Sequence, residues 1–167
     1  MARITRYLLP QVRRDLAQKM VFIAGPRQVG KTTLARSLNG GAAGHLNWDV
    51  AEDRERILKG ELPPGRLWIF DEIHQYRRWR KYLKGLYGGR GRGQRILVTG
   101  SARVDLYRFG GDPLQGRHHL LRLHPLSVAE LIRDLCRLGS GQRAGFDAEQ
   151  GTMPARKHHR PACGRRH

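Results

Sequence analysis

The sequence predicts an α/β fold, a parallel five-stranded sheet with helices on both faces, followed by a disordered C-terminal tail. Three observations predict it. Short apolar runs alternate with amphipathic stretches through the first 138 residues, as strands do when each crosses to the next through a helix. One of these runs feeds a glycine-bracketed turn, "GPRQVGKTT" (Gly25 to Thr33), that opens a helix. From Gly139 to His167 there is no Leu, Ile or Val and a single aromatic, Phe146, so that segment has too little apolar surface to offset its ordering entropy.

The elements follow in order. "RYLLPQVRRDLAQKM" reads as a helix from about Pro10, with Val12, Leu16 and Met20 on one stripe and arginines opposite. "KMVFIAG" is apolar throughout, which suits a parallel strand covered on both faces. After the turn, "KTTLARSLNGG" sets Leu34 and Leu38 four apart, with Gly40 and Gly41 to stop the helix. "GHLNWDV" alternates as a second strand ending at Asp49, and "AEDRERILKG" is a charged helix closed by Gly60. A third strand, Leu67 to Phe70, runs straight into Asp71 and Glu72. "RRWRKYLKGLYGG" forms a basic helix with Trp79, Leu83 and Leu86 available to the core. "QRILVTGS" is a fourth strand leading to a helix "ARVDLYRF", and "GRHHLLRLHPLSVAELIRDL" supplies a fifth strand and a last helix. There is no internal repeat.

Gly25 to Thr33 fits the spacing G-x-x-x-x-G-K-[ST], and it stands between a strand and a helix as a P-loop NTPase requires. Such a loop gathers backbone N–H groups around a phosphate at a helix N-terminus. Gly25, Pro26, Arg27, Gln28, Val29, Gly30, Lys31, Thr32 and Thr33 are therefore the candidate nucleotide-binding residues. Lys31 would reach the β- and γ-phosphates, and the Thr32 hydroxyl would hold Mg²⁺. Asp71, delivered rigidly by a buried strand, would orient the same Mg²⁺ through water, and Glu72 would polarise the attacking water. Thr99 or Ser101 could contact the γ-phosphate or that water from a strand between the two motif strands; Ser101 equally suits a cap on the helix that follows. No Asn-Lys-x-Asp segment is present to read guanine, so ATP is the expected nucleotide.

A formal charge of +18 and a pI near 11.3 permit binding to nucleic acid or an anionic surface but say nothing about fold. From Arg77 to Arg95 there are eight Lys/Arg and no acid, with Trp79, Tyr82 and Tyr87 interleaved. That is either a groove where cations meet phosphates and rings stack on bases, or a solvated helix face whose rings point inward. An alternative function follows, a basic nucleic-acid-binding module with a regulatory or vestigial nucleotide site. Cys136 and Cys163 offer no disulfide framework, and no long apolar run suggests a membrane partner, so a cytoplasmic location is expected. His158, His159, Cys163 and His167 match no zinc spacing, and His118 and His119 are expected to face solvent or a loop.

The segments "KMVFIAGPRQVGKTTLARSL", "LWIFDEIHQYRRWRKYLKGLY" and "ILVTGSARVDLYRFGGDPLQGRHHLLRLHPLSVAEL" resemble the ATPase domain of a prokaryotic AAA+ superfamily group. Such proteins pair that domain with an uncharacterised C-terminal domain. The likeness runs from about Arg6 to Leu135; Gly88 departs from it, standing where an acidic residue is common. It implies that Lys31 and Thr32 are the phosphate and Mg²⁺ residues, and Asp71 and Glu72 the Mg²⁺ and water residues. It places Ser101 in a sensor segment and makes Arg117 the arginine that approaches a γ-phosphate, its own or that of a neighbour in a homo-oligomer. The expectation is thus an ATPase domain over residues 1–138 and a basic tail over 139–167, as in a truncated or frame-shifted product. Leu131 and Leu135 would then be partly exposed.

Overall fold

The central strands carry apolar side chains on both sides, which fixes a sheet covered by helices on two faces. The computed structural model describes residues 5–38, 44–101 and 114–143. In chain order it contains α1 (Leu9–Asp15), β1 (Met20–Ala24), α2 (Lys31–Leu38), β2 (His45–Asn47), α3 (Ala51–Lys59) and β3 (Leu67–Asp71). A 3-10 turn (Ile73–Gln75), α4 (Trp79–Gly89), β4 (Arg95–Gly100), β5 (His118–Arg122) and α5 (Val128–Arg143) follow. The sheet order is β2-β3-β4-β1-β5, and every neighbouring pair is parallel. The strand that carries Thr99 therefore lies between the two that lead to the glycine loop and to Asp71, as expected.

All five residues of β1 are buried. Val21 and Ile23 join one layer with Ile69, Leu97, and Val12, Leu34 and Ala35 of α1 and α2. Met20 and Phe22 turn the other way, to Phe70, Val98, Ile57 of α3 and Leu83 of α4. This two-sided burial explains one departure from the sequence reading. Helix α1 stops at Asp15 rather than running on to Met20, and the N–H groups of Gln18 and Lys19 close it on the Asp15 carbonyl. Met20 lies in the opposite layer from Val12 and Leu16, so the three cannot share a helical stripe.

Strand β2 is also shorter than expected, because the Asp53 carboxylate accepts the Asn47 N–H at 2.9 Å and the chain turns toward α3. Gly60 ends α3 with φ 74°, a left-handed C-cap. Of the expected settings, solvent or a loop, His118 shows the loop contact, its Nδ1 lying 3.0 Å from the carbonyl of Leu114 before β5. Strand β5 pairs with β1, so His118 is half-buried with its ring stacked on Phe22 at 4.4 Å, and His119 is half-buried beside it. Helix α5 continues to Arg143, five residues past the boundary read at 138. It exposes Val128 and Ile132 as well as Leu131, whereas the Leu135 side chain, Gly40, Gly41, the helix expected at "ARVDLYRF" and residues 144–167 lie outside those described.

A buried ion pair ties the chain's beginning to α5. Arg6 donates from Nε to Glu130 Oε1 at 3.0 Å, and its other nitrogens donate to the carbonyls of Val29 and His124. Glu130 also closes a capping box on Ser127, accepting the Ser127 N–H at 2.9 Å while its own N–H meets the Ser127 hydroxyl. Burial alone would raise the Glu130 pKa, but the N–H groups of Ser127 and Tyr7, the Arg6 guanidinium and the Ser127 hydroxyl together lower it from 4.5 to about 2. Protonation therefore favours the unfolded chain: this stabilisation is complete above about pH 4.5 and is lost as pH falls toward 2. Glu130→Gln should cost on the order of 2 kcal/mol at neutral pH and flatten the acid limb of stability in that window. Chemical denaturation at stepped pH checks this, and identical acid limbs in both proteins would contradict it.

Candidate functional site

At the end of β1 the chain must turn away from the sheet beside β5, whose backbone is already close. The Leu123 N–H donates to the Ala24 carbonyl at 2.8 Å, and a Cβ on Gly25 would lie 2.4 Å from the Leu123 carbonyl oxygen. Only glycine fits there. The loop then curls through two left-handed residues, Gln28 at φ 63° and Gly30 at φ 86°. Such a curl turns N–H groups toward a common anion. Val29 is buried and anchors the loop, while Pro26, Arg27 and Gln28 are exposed at its tip.

Lys31 and Thr32 open α2, with Thr33 beside them. Lys31 is buried, and its ammonium donates to the carbonyls of Gly25 at 2.9 Å and Pro26 at 2.7 Å. These two bonds hold the charge inside the curl and use two of its three protons. Thr32 Oγ1 donates to Asp71 Oδ2 at 2.7 Å.

Register does the rest. Strand β3 ends at Asp71 opposite Thr99 of β4, and Thr99 Oγ1 donates to Asp71 Oδ1 at 2.7 Å. His45, the first residue of β2, adds its Nε2 at 3.6 Å from Asp71 Oδ2, an ion-pair separation rather than a hydrogen bond. Burial pushes the Asp71 pKa up, but His45 and the two threonine hydroxyls outweigh it, so the pKa is lowered overall. The carboxylate is held ionised. With the Thr32 hydroxyl it forms a hard-oxygen donor pair of the kind Mg²⁺ prefers.

Glu72 leaves the strand in the left-handed region, φ 55°, with its N–H donated to the Thr99 carbonyl at 2.9 Å. Its Oε2 lies 3.4 Å from His74 Nδ1, and Ser101 Oγ lies 3.3 Å from His74 Nε2. The helix that Ser101 would cap falls outside the described residues. The structure thus gathers the loop, Lys31, Thr32, Asp71, Glu72, Thr99 and Ser101 at the C-terminal ends of β1, β3 and β4.

It does not bring Arg117 to them. Arg117 precedes β5, where its carbonyl accepts the Met20 N–H, at the start of β1. The full length of that strand, about 16 Å at 3.3 Å per residue, separates it from the loop of its own chain. His45, His74 and Arg6 are site residues that the sequence reading misses. His74 has a signal in "DEIH", as a polar residue beside the carboxylate pair, and "SVAE" is a readable capping box. Nothing local announces Arg6 or His45.

Two of the interleaved rings of α4 pack inward and the third meets a cation. Trp79 lies 5.9 Å from Phe22, Tyr82 meets Phe70 edge-on at 6.1 Å, and Tyr87 sits under Arg90. Among the described residues, no helix is long and apolar enough to cross a membrane.

No curated protein matches this chain. Among solved structures it is similar to a point variant of RuvB from Thermotoga maritima, at 24% identity and a TM-score of 0.47. That similarity covers 81% of this chain and 48% of the other, so the chain spans about half the length of that structure. Residues 17–132, from the turn before β1 into α5, match the AAA domain family, and the chain belongs to that family as an AAA+ ATPase-type domain on a P-loop α/β fold.

Proposed function

We propose that this domain binds ATP with Mg²⁺ and hydrolyses it. One observation carries the reading: both oxygens of the Asp71 carboxylate are bonded, one by the phosphate-loop residue Thr32 and one by Thr99 of the intervening strand. An ionised carboxylate and a hydroxyl so fixed at the helix N-terminus are the parts a nucleotide site needs for its cation. Bound Mg²⁺ would neutralise charge on the β- and γ-phosphates. The N–H groups from Arg27 to Thr33 bind those phosphates, and Lys31 adds its positive charge from within the loop. Glu72, at the rim of the sheet, accepts a proton from the attacking water, while Thr99 and Ser101 lie on the same side to contact that water or the γ-phosphate.

Arg117 fits a neighbour's nucleotide better than its own, because it emerges at the far end of the sheet. A homo-oligomer, working in the cytoplasm, in which it stabilises γ-phosphate charge in trans completes the proposal.

Lys31→Ala should weaken Mg-ATP binding by roughly tenfold to a hundredfold, because a charge-assisted contact to phosphate is lost. Equilibrium titration checks it, and unchanged affinity would remove Lys31 from the site. Glu72→Gln should bind Mg-ATP normally while turnover falls roughly a hundredfold or more. Equal turnover in variant and wild type would end the assigned role of Glu72. Finally, Lys31→Ala and Arg117→Ala chains, each inactive alone, should regain ATPase activity when mixed. A mixture that stays inactive would argue against action in trans.

A further inference from the structure

The pair Glu72 and His74 stands at the mouth of the site with geometry that the reading above does not use. Glu72 is placed by a left-handed backbone, and the next residues form the 3-10 turn, with the Gln75 N–H on the Glu72 carbonyl at 3.1 Å. That tight turn brings the side chain two residues on back beside Glu72. His74 Nδ1 is 3.4 Å from Glu72 Oε2, and its Nε2 is 3.3 Å from Ser101 Oγ. His74 is largely shielded, with a side chain 15% exposed, and Glu72 is 25% exposed.

The chemistry of the two ring nitrogens sets a direction. Facing a carboxylate, Nδ1 is the nitrogen that carries hydrogen, so in the neutral ring Nε2 is the acceptor, and the Ser101 hydroxyl donates to it. The chain of bonds therefore runs from the end of β4, through one imidazole, to the carboxylate that ends β3. Both contacts are longer than a well-formed hydrogen bond, and strict geometry leaves Nδ1 without one. Such contacts orient a side chain by direction and charge more than by strong bonds.

We propose that His74 is a positioning residue for hydrolysis, which holds Glu72 through Nδ1 and takes its own orientation from Ser101 through Nε2. The proposal rests on Glu72 acting as the base. With the Ser101 hydroxyl on Nε2, the ring presents Nδ1–H to Glu72 and keeps the carboxylate at the mouth of the site.

The test measures ATP turnover, equilibrium Mg-ATP binding and thermal unfolding on the full chain. The proteins are wild type, Glu72→Gln, His74→Ala, His74→Asn, Ser101→Ala and the His74→Ala/Ser101→Ala double variant. His74→Ala should lose turnover on the order of tenfold to a hundredfold, as a misplaced catalytic group does, with Mg-ATP affinity retained. His74→Asn should recover part of that loss, since its amide N–H can stand in for Nδ1–H. The double variant should be no slower than the slower single, because the two residues act in series. Wild-type turnover in His74→Ala, with Glu72→Gln inactive, would overturn the positioning role and leave the base assignment standing. Wild-type turnover in Glu72→Gln would overturn the base assignment itself. Parallel losses of turnover, affinity and melting temperature in His74→Ala, without recovery in His74→Asn, would show a merely structural role and overturn the proposal.

Discussion

A carboxylate among apolar strands is tolerated only when its oxygens are bonded, and Asp71 is the residue on which this architecture turns. Its two bonds come from different elements, Thr32 on the helix after β1 and Thr99 on β4. Together they fasten the ends of three adjacent strands at one height. The phosphate loop, the Asp-Glu pair and the polar end of β4 then have a fixed relation to each other. The same bonds, together with His45 beside Oδ2, keep the group ionised, so one carboxylate supplies both the register of the site and the charge that the proposed cation would need.

Strain and restraint are arranged around that point. Gln28 and Glu72 are the described non-glycine residues with positive φ, and each lies in a motif that the proposed function uses. Left-handed backbone costs about 1 kcal/mol or more for such residues, so the surroundings must hold them there. The Thr99 carbonyl does this for Glu72. On the loop, Arg6 takes the Val29 carbonyl while its guanidinium is bound by Glu130. The phosphate loop is thus held from outside by a residue of the preceding segment, which is itself held by the first turn of α5.

How far the sequence discloses this depends on the range of each interaction. The five strands, most helix limits and the loop are legible because period, glycine positions and motif spacing are local signals. The position of β4 between β1 and β3 is legible once the two motif strands have been recognised. Met20 goes to the wrong element because a helical stripe and a buried strand both ask for an apolar residue there, and only the layer it enters decides. Two adjacent histidines, His118 and His119, suggest solvent or a loop; pairing of β5 with β1 is what half-buries them. Arg6 and Glu130 are separated by 124 positions, and no local pattern predicts such a pair.

The two ends of the sheet differ in character. The residues of the proposed nucleotide site gather where β1, β3 and β4 finish. Where β1 and β4 begin, Lys19, Tyr87, Arg90 and Arg95 line a cavity of about 150 Å³. The rings that punctuate the basic helix α4 have been recruited inward, Trp79 against Phe22 and Tyr82 against Phe70. Their contribution is to the layer that supports β1, and hence the loop. A ring committed to that layer does not offer its face to a base, whereas Tyr87, half-buried at the cavity, has its face against the Arg90 guanidinium.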